Sequence, residues 1–534
     1  MRTRMGRFAV VAATAATLAW ALPAAAKTPK DQLIVGMNMA NLTSLDPHNM
    51  NSYESHHILA NVYDTLVRTD PKDPGKLLPR LAESWQELPD GTIKFKLRKD
   101  VKFHSGRVVT VDDVVWSMRR AVKLGLLGSA YFTEWGYNAK NIDEKFRAEG
   151  ADTFVMEPAM AIAPKLKLYT IARAVGAVLD RETVLKNEKD GDLGRGWLAS
   201  NSAGSGPFSL VRWNPNDIVL LDRFDGYYAG APKMRRVVVR HLPESQTQRL
   251  QLEKGDLDVG IQLSSADIDG LAANPAIAID RIPGAGYYFM IMSLKDPDFA
   301  KPEVRKAVRY CIDYDGINKN LMQNYGLPAR SYIAKGIPGY VEGIGNEYDL
   351  DKCKAGLAAA GYPNGFKKTF LTLSSPPYAE ISTAIQANLA KAGIILDIRA
   401  GNGDQTYGPM RNRQFESGLG RSSSAVQADP DGWLRTHVYN PDNTDAAKLS
   451  NLLGWRSSWA VPEVNRLMDE AASISDEARR AQLYAEVVKL SEAAVPSVIP
   501  VSQRVDPFAK AKRLQNYVGD ATWMVRWDIV DKTD

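Results

Sequence analysis

The first 26 residues dictate where the rest of this chain must fold. Met1–Arg7 carries Arg2, Arg4 and Arg7 and no acid, and Phe8–Leu22 is a fifteen-residue run of apolar and small side chains. Pro23 breaks that run, and Ala24-Ala25-Ala26 precedes Lys27. Charged, apolar and small-residue regions in that order predict a secretory signal peptide over 1–26, cleaved near Ala26. The apolar run is shorter than a bilayer-spanning helix, and no Cys follows it to carry a lipid. The mature chain is expected to fold in the periplasm, where disulfides persist.

Export also revises the charge balance. The whole chain has 67 basic and 62 acidic residues, a net +5, and cleavage removes three arginines to leave +2. No run of five Lys/Arg occurs, so there is no electrostatic footprint for nucleic acid. A chain of 534 residues with 45% apolar content can build more than one packed unit.

Local patterning is α/β. Leu33–Met37 reads as a buried strand, followed by a loop through Asn41, and Glu54–Thr65 has helical spacing. Ile93, Phe95 and Leu97 alternate with charged residues, the period of a half-buried strand. Thr110 opens a helix with Asp113 at the capping-box position, and Val111, Val114, Val115, Met118 and Val122 form its apolar stripe. A helical stretch is expected near Leu166–Leu179, and Ser202–Pro207 breaks the chain before β-rich segments at Asp217–Arg223 and Arg236–Leu242. Pro283-Gly284 predicts a break before a strand at Tyr287–Met292. Ile381–Ala392, Gly393 and Ile394–Ile398 read as a helix–glycine–strand unit. Asp476–Ala494 reads as a long helix before a short strand, Val498–Val501.

The two cysteines, Cys311 and Cys353, each lie on the apolar stripe of a helix. They read either as a disulfide or as two small buried hydrophobes.

Motifs for catalysis are absent: no G-x-S-x-G, P-loop, H-E-x-x-H or C-x-x-C occurs. His56 and His57 are adjacent, about 100° apart on a helix, and read as a surface pair rather than a metal site. His104, between a strand and the capped helix, is expected to be structural. No metal and no cofactor is expected. Asp429 and Asp431 are the carboxylates that an exported hydrolase of glycans or peptides would use, and this is the competing function.

Several segments together resemble the bacterial extracellular solute-binding proteins of family 5, the peptide- and nickel-type binding proteins of ABC importers. They are Asn61–Val67, Leu78–Trp85, Asp90-Gly91, Val101–Gly106, Asp112–Val114, Gly204–Phe208, Arg305–Ala307 with Ile312-Asp313, Ala360–Phe366 and Ala494–Pro496. The resemblance spans essentially the whole mature chain. It implies an α/β, two-lobed, Venus-flytrap fold. The first lobe would combine 27–48, 200–285 and 500–534, an inserted subdomain would occupy 49–199, and the second lobe 286–499. It also implies a monomeric receptor that closes on a peptide or other small organic solute and docks on ABC permease subunits driven by a separate ATPase.

Peptide-binding relatives typically carry an acid three residues before an Asp-Pro in a second-lobe loop, pairing with the peptide ammonium. Here the matching loop ends Val426-Gln427-Ala428-Asp429-Pro430, so that position is Val426. Asn41, Tyr287, Tyr407, Asp429 and Trp433 are the candidate ligand contacts. Core packing competes for the aromatics, and a plain turn competes for Asp429.

Overall fold

The apolar run Leu33–Met37 lies in the strand Gln32–Met37, buried along nearly its whole length. It pairs in parallel with Arg236–His241 on one side and Val259–Ile261 on the other. A near-continuous apolar run needs neighbours of this kind, because both its faces must be covered. The computed structural model describes residues 28–49, 52–422 and 429–533. The expected export segment 1–26 and Val426 lie outside the described residues.

Among the described residues, one mixed sheet of eleven strands runs through the molecule. From one edge its order is Ile395–Gly401, Lys367–Leu373, Ser417–Arg421, Ile277–Met292 and Val498–Ala511. It continues with Val259–Ile261, Gln32–Met37, Arg236–His241, Ile218–Arg223 and Phe208–Asn214, while Gly326–Leu327 adds to Val498–Ala511. The two central strands, 16 and 14 residues long, pair antiparallel and connect one half of the sheet to the other. The molecule is thus a two-lobed α/β fold.

Those central strands correct two expectations. Pro283-Gly284 does not end a strand: pairing continues through it, and the ladder shifts register between Pro283 and Tyr287. A proline lacks the ladder N–H, and a bulge is where a sheet tolerates that loss. The second strand does not stop at Val501 but runs to Ala511, because its neighbours supply partners along its length. The lobe boundaries expected at 285/286 and 499/500 fall inside these two strands.

Between Tyr53 and Leu198 the chain builds a separate layer. Ala82–Glu87, Ile93–Leu97, Thr153–Met156 and Phe146–Glu149 form an antiparallel sheet in that order. The helix Val111–Lys123 carries the expected capping box between Thr110 and Asp113, and its apolar stripe is buried. Such a cap contributes about 1 kcal/mol. The helix expected near Leu166–Leu179 is shorter, Pro164–Ile171. Gly176 folds back so closely that a Cβ there would lie 2.0 Å from the Ile171 carbonyl oxygen. That turn carries Arg173 into the interior.

His56 and His57 are not a surface pair, since both are buried within the helix Tyr53–Val62. Their Nδ1 atoms lie 2.7 and 3.0 Å from the carbonyl oxygens of Ser52 and Tyr53. Burial pushes the His56 imidazole down to about 3 and His57 to about 4. Helices Pro302–Cys311 and Leu350–Ala359 pack side by side, and Cys311 and Cys353 are bridged, with Cα atoms 5.2 Å apart.

Candidate ligand-binding cleft

A cavity of about 240 Å³ lies where the two lobes and the Tyr53–Leu198 layer meet. Asn41, in the loop after the first strand, reaches it from the first lobe. Its Oδ1 accepts a hydrogen bond from the Gly403 N–H at 2.9 Å, at the start of the helix Gly403–Arg411. That helix is held by a capping box between Asn402 and Gln405. Tyr407 and Arg411 then share one face four residues apart, the guanidinium 5.6 Å from the ring centroid. Both line the cavity.

The Tyr407 hydroxyl accepts the Arg421 N–H at 3.2 Å, fixing the end of the strand Ser417–Arg421. The Arg421 guanidinium lies 5.0 Å over Tyr53, at the start of the Tyr53–Leu198 layer, and 4.9 Å over Trp523, near the far end of the chain. Burial disfavours its charge, but Tyr378 and Asp506 outweigh that and raise its pKa above the ordinary value. An arginine stacked between aromatic planes can remain dry and charged.

Asp431 and Arg435, one turn apart on the helix Pro430–Val438, form a buried bidentate pair at 2.8 and 2.9 Å. The Tyr484 hydroxyl donates to the same carboxylate at 2.9 Å. Arg435 also stacks 4.7 Å over Trp135, joining the second lobe to the Tyr53–Leu198 layer. Glu134, beside Trp135 on the cavity wall, is pushed up to about 7 by burial against the pull of Arg435.

Of the five residues singled out from sequence, Asn41 and Tyr407 line this cavity, and Tyr287, Asp429 and Trp433 do not. Trp433 is 1% exposed, and its ring lies 5.4 Å from that of Tyr287 in the second-lobe core. Asp429 caps the helix Pro430–Val438 and pairs with Arg480 at 2.6 and 2.9 Å. The arginines of the wall, Arg173, Arg411, Arg421, Arg435 and Arg456, were missed by sequence reasoning. Only Arg435 carries a local signal, its i,i+4 spacing from Asp431. Among the described residues no cluster of three or more His, Cys, Asp or Glu is placed to hold a metal. None of their helices is long and apolar enough to cross a membrane.

Two lobes joined by long strands, with a polar cavity walled from both sides, define a two-lobed ligand-binding protein. The comparisons agree with that class. Residues 76–445 match the family model for bacterial extracellular solute-binding proteins, family 5 (middle region), and the chain belongs to that family. It is 28% identical over 477 residues to the probable D,D-dipeptide-binding periplasmic protein DdpA of Escherichia coli (strain K12), covering 87% of each chain. It is 25% identical to the glutathione-binding protein GsiB of Pectobacterium atrosepticum, covering 95% of this chain and 94% of that one. The solved structure of MoaA from A. tumefacien R10, in complex with mannopinic acid, superposes with a TM-score of 0.83 at 23% identity. That match covers 95% of this chain and all of the other.

Proposed function

We propose that this chain is the periplasmic receptor of an ABC importer, capturing a peptide or other small organic solute between its lobes and passing it to a membrane permease. The observation that carries the reading is the cavity itself. Its walls come from both halves of one sheet, and those halves are connected through the strands Ile277–Met292 and Val498–Ala511. Bending at such connections closes a cleft and replaces the ligand's water with fixed polar groups. The lobes divide as 27–48, 200–285 and 500–534 against 286–499, with 49–199 inserted. Cleavage near Ala26 releases the mature monomer, and the permease works with a separate ATPase.

The relatives named above bind a D,D-dipeptide, glutathione and mannopinic acid by their names and titles, which supports a small organic solute. The test is mass spectrometry of small molecules that co-purify with the protein, followed by small-angle scattering with and without the solute recovered. Binding should contract the particle and return the solute chemically intact. A solute converted to product, or one that leaves the scattering unchanged, sinks the reading.

A further inference from the structure

Three guanidinium groups on the cavity wall have no carboxylate within 4 Å among the described residues: Arg173, Arg411 and Arg456. Arg173 is 2% exposed, and its Nε and Nη1 have no hydrogen-bond partner among the described residues. Its guanidinium lies 4.9 Å over the ring of Tyr131, which also lines the cavity. Arg456, 8% exposed, donates from Nε to the Ser450 carbonyl at 2.5 Å. Arg411 rests on Tyr407.

Most other buried arginines are paired with carboxylates among the described residues; Arg305 instead donates to the backbone carbonyls of Phe299, Ala300 and Val495. Arg120 meets Asp46 at 2.7 Å, Arg480 meets Asp429 at 2.6 Å and Arg435 meets Asp431 at 2.8 Å. A buried charge without a partner is costly, so Arg173 and Arg456, with the half-buried Arg411 lining the same cavity, require an explanation. Burial pushes Arg456 down to about 9, and the Arg411 charge pushes the same way. The carboxylates that remain near them do not cancel these charges: Glu134 is raised to about 7, and Asp404 is exposed.

We propose that Arg173, Arg411 and Arg456 form an oxyanion subsite that receives a carboxylate or phosphate group of the transported solute. This rests on the receptor reading above and narrows its substrate class to anions. Planar guanidinium forks match either oxyanion in bidentate geometry. Arg173 comes from the inserted layer, and Arg411 and Arg456 come from the second lobe. An oxyanion between them neutralises like charges contributed by different parts of the chain, so binding and closure support one another.

The test is thermal unfolding of the purified chain in sodium glutarate and in sodium phosphate, each compared with sodium chloride at equal ionic strength. At least one oxyanion should raise Tm by roughly 1–3 °C over chloride. Glutarate alone marks a carboxylate-bearing solute, and phosphate alone a phosphoryl-bearing one. The response should disappear in Arg411→Met and Arg456→Met, whose Tm in chloride should match or exceed the parent's, because repulsion is relieved. Neither oxyanion exceeding chloride in the parent overturns the proposal, whatever the variants do. So does an oxyanion response that persists in both variants. The receptor reading fails separately, through absence of lobe closure in scattering.

Discussion

Asn41 Oδ1 and the Gly403 N–H, 362 positions apart in the chain, form a 2.9 Å hydrogen bond across the cleft. Asn41 follows a strand of the first lobe, and Gly403 begins a helix beside the far edge strand of the second. One side-chain oxygen thereby ties the two walls together.

Asn41→Ala removes that tie and leaves a helix N-terminal N–H open to water. A hydrogen bond of this kind contributes about 1 kcal/mol, so affinity for the co-purified solute should fall about fivefold. Titration calorimetry measures it, and scattering should show a more open ligand-free particle. Unchanged affinity and shape would mean that the bond does not report on closure.

Asp429 should behave as a structural residue. Its carboxylate pairs with Arg480, whose side chain is 6% exposed. Asp429→Ala strands that charge, and breaking a buried pair costs roughly 3–5 kcal/mol. Urea unfolding should show the loss, while the solute affinity of the folded fraction stays near normal. Intact stability with lost binding would instead place Asp429 at the ligand.

The disulfide closes a segment 42 residues long. Chain-entropy arguments give such a bridge about 4 kcal/mol. Replacing both cysteines with alanine, or adding reductant, should lower the unfolding midpoint accordingly. An unchanged melt under reductant that demonstrably opens the bridge would contradict this.

Glu134 sets a pH dependence. Burial raises its carboxyl from 4.5 to about 7, so the folded state holds the proton more tightly than the unfolded chain. Its contribution to stability is therefore complete below pH 4.5 and is lost as pH rises through 7. Glu134→Gln should have little effect at pH 4 and should stabilise by on the order of 2 kcal/mol at pH 8. Melts at both pH values check the sign, and equal effects at the two would refute it.

Local chemistry made much of the fold legible. The Thr110–Asp113 capping box and the alternation over Ile93–Leu97 each specify their element within a dozen residues. The helix–glycine–strand unit was equally readable: Tyr378–Ala390, Gly393 at φ +84° and Ile395–Gly401. Pro283 misled because a bulge and a long antiparallel partner, more than 200 residues away, absorb what would otherwise end a strand. His56 and His57 misled because the rings that cover their helix, Trp523 among them, come from the far end of the chain.

By itself, the sequence determined an α/β chain, its main helices and strands, and the residue stripes that form its cores. These depend on spacing within a few turns or pleats, which the chain carries locally. Only the tertiary structure decided which charges find partners. Net charge near zero did not distinguish Arg480, matched with Asp429 51 residues earlier, from Arg411 and Arg456, which meet no carboxylate among the described residues. Pairing depends on through-space distance and on exclusion of water, and both are set only when segments hundreds of residues apart close around one cavity.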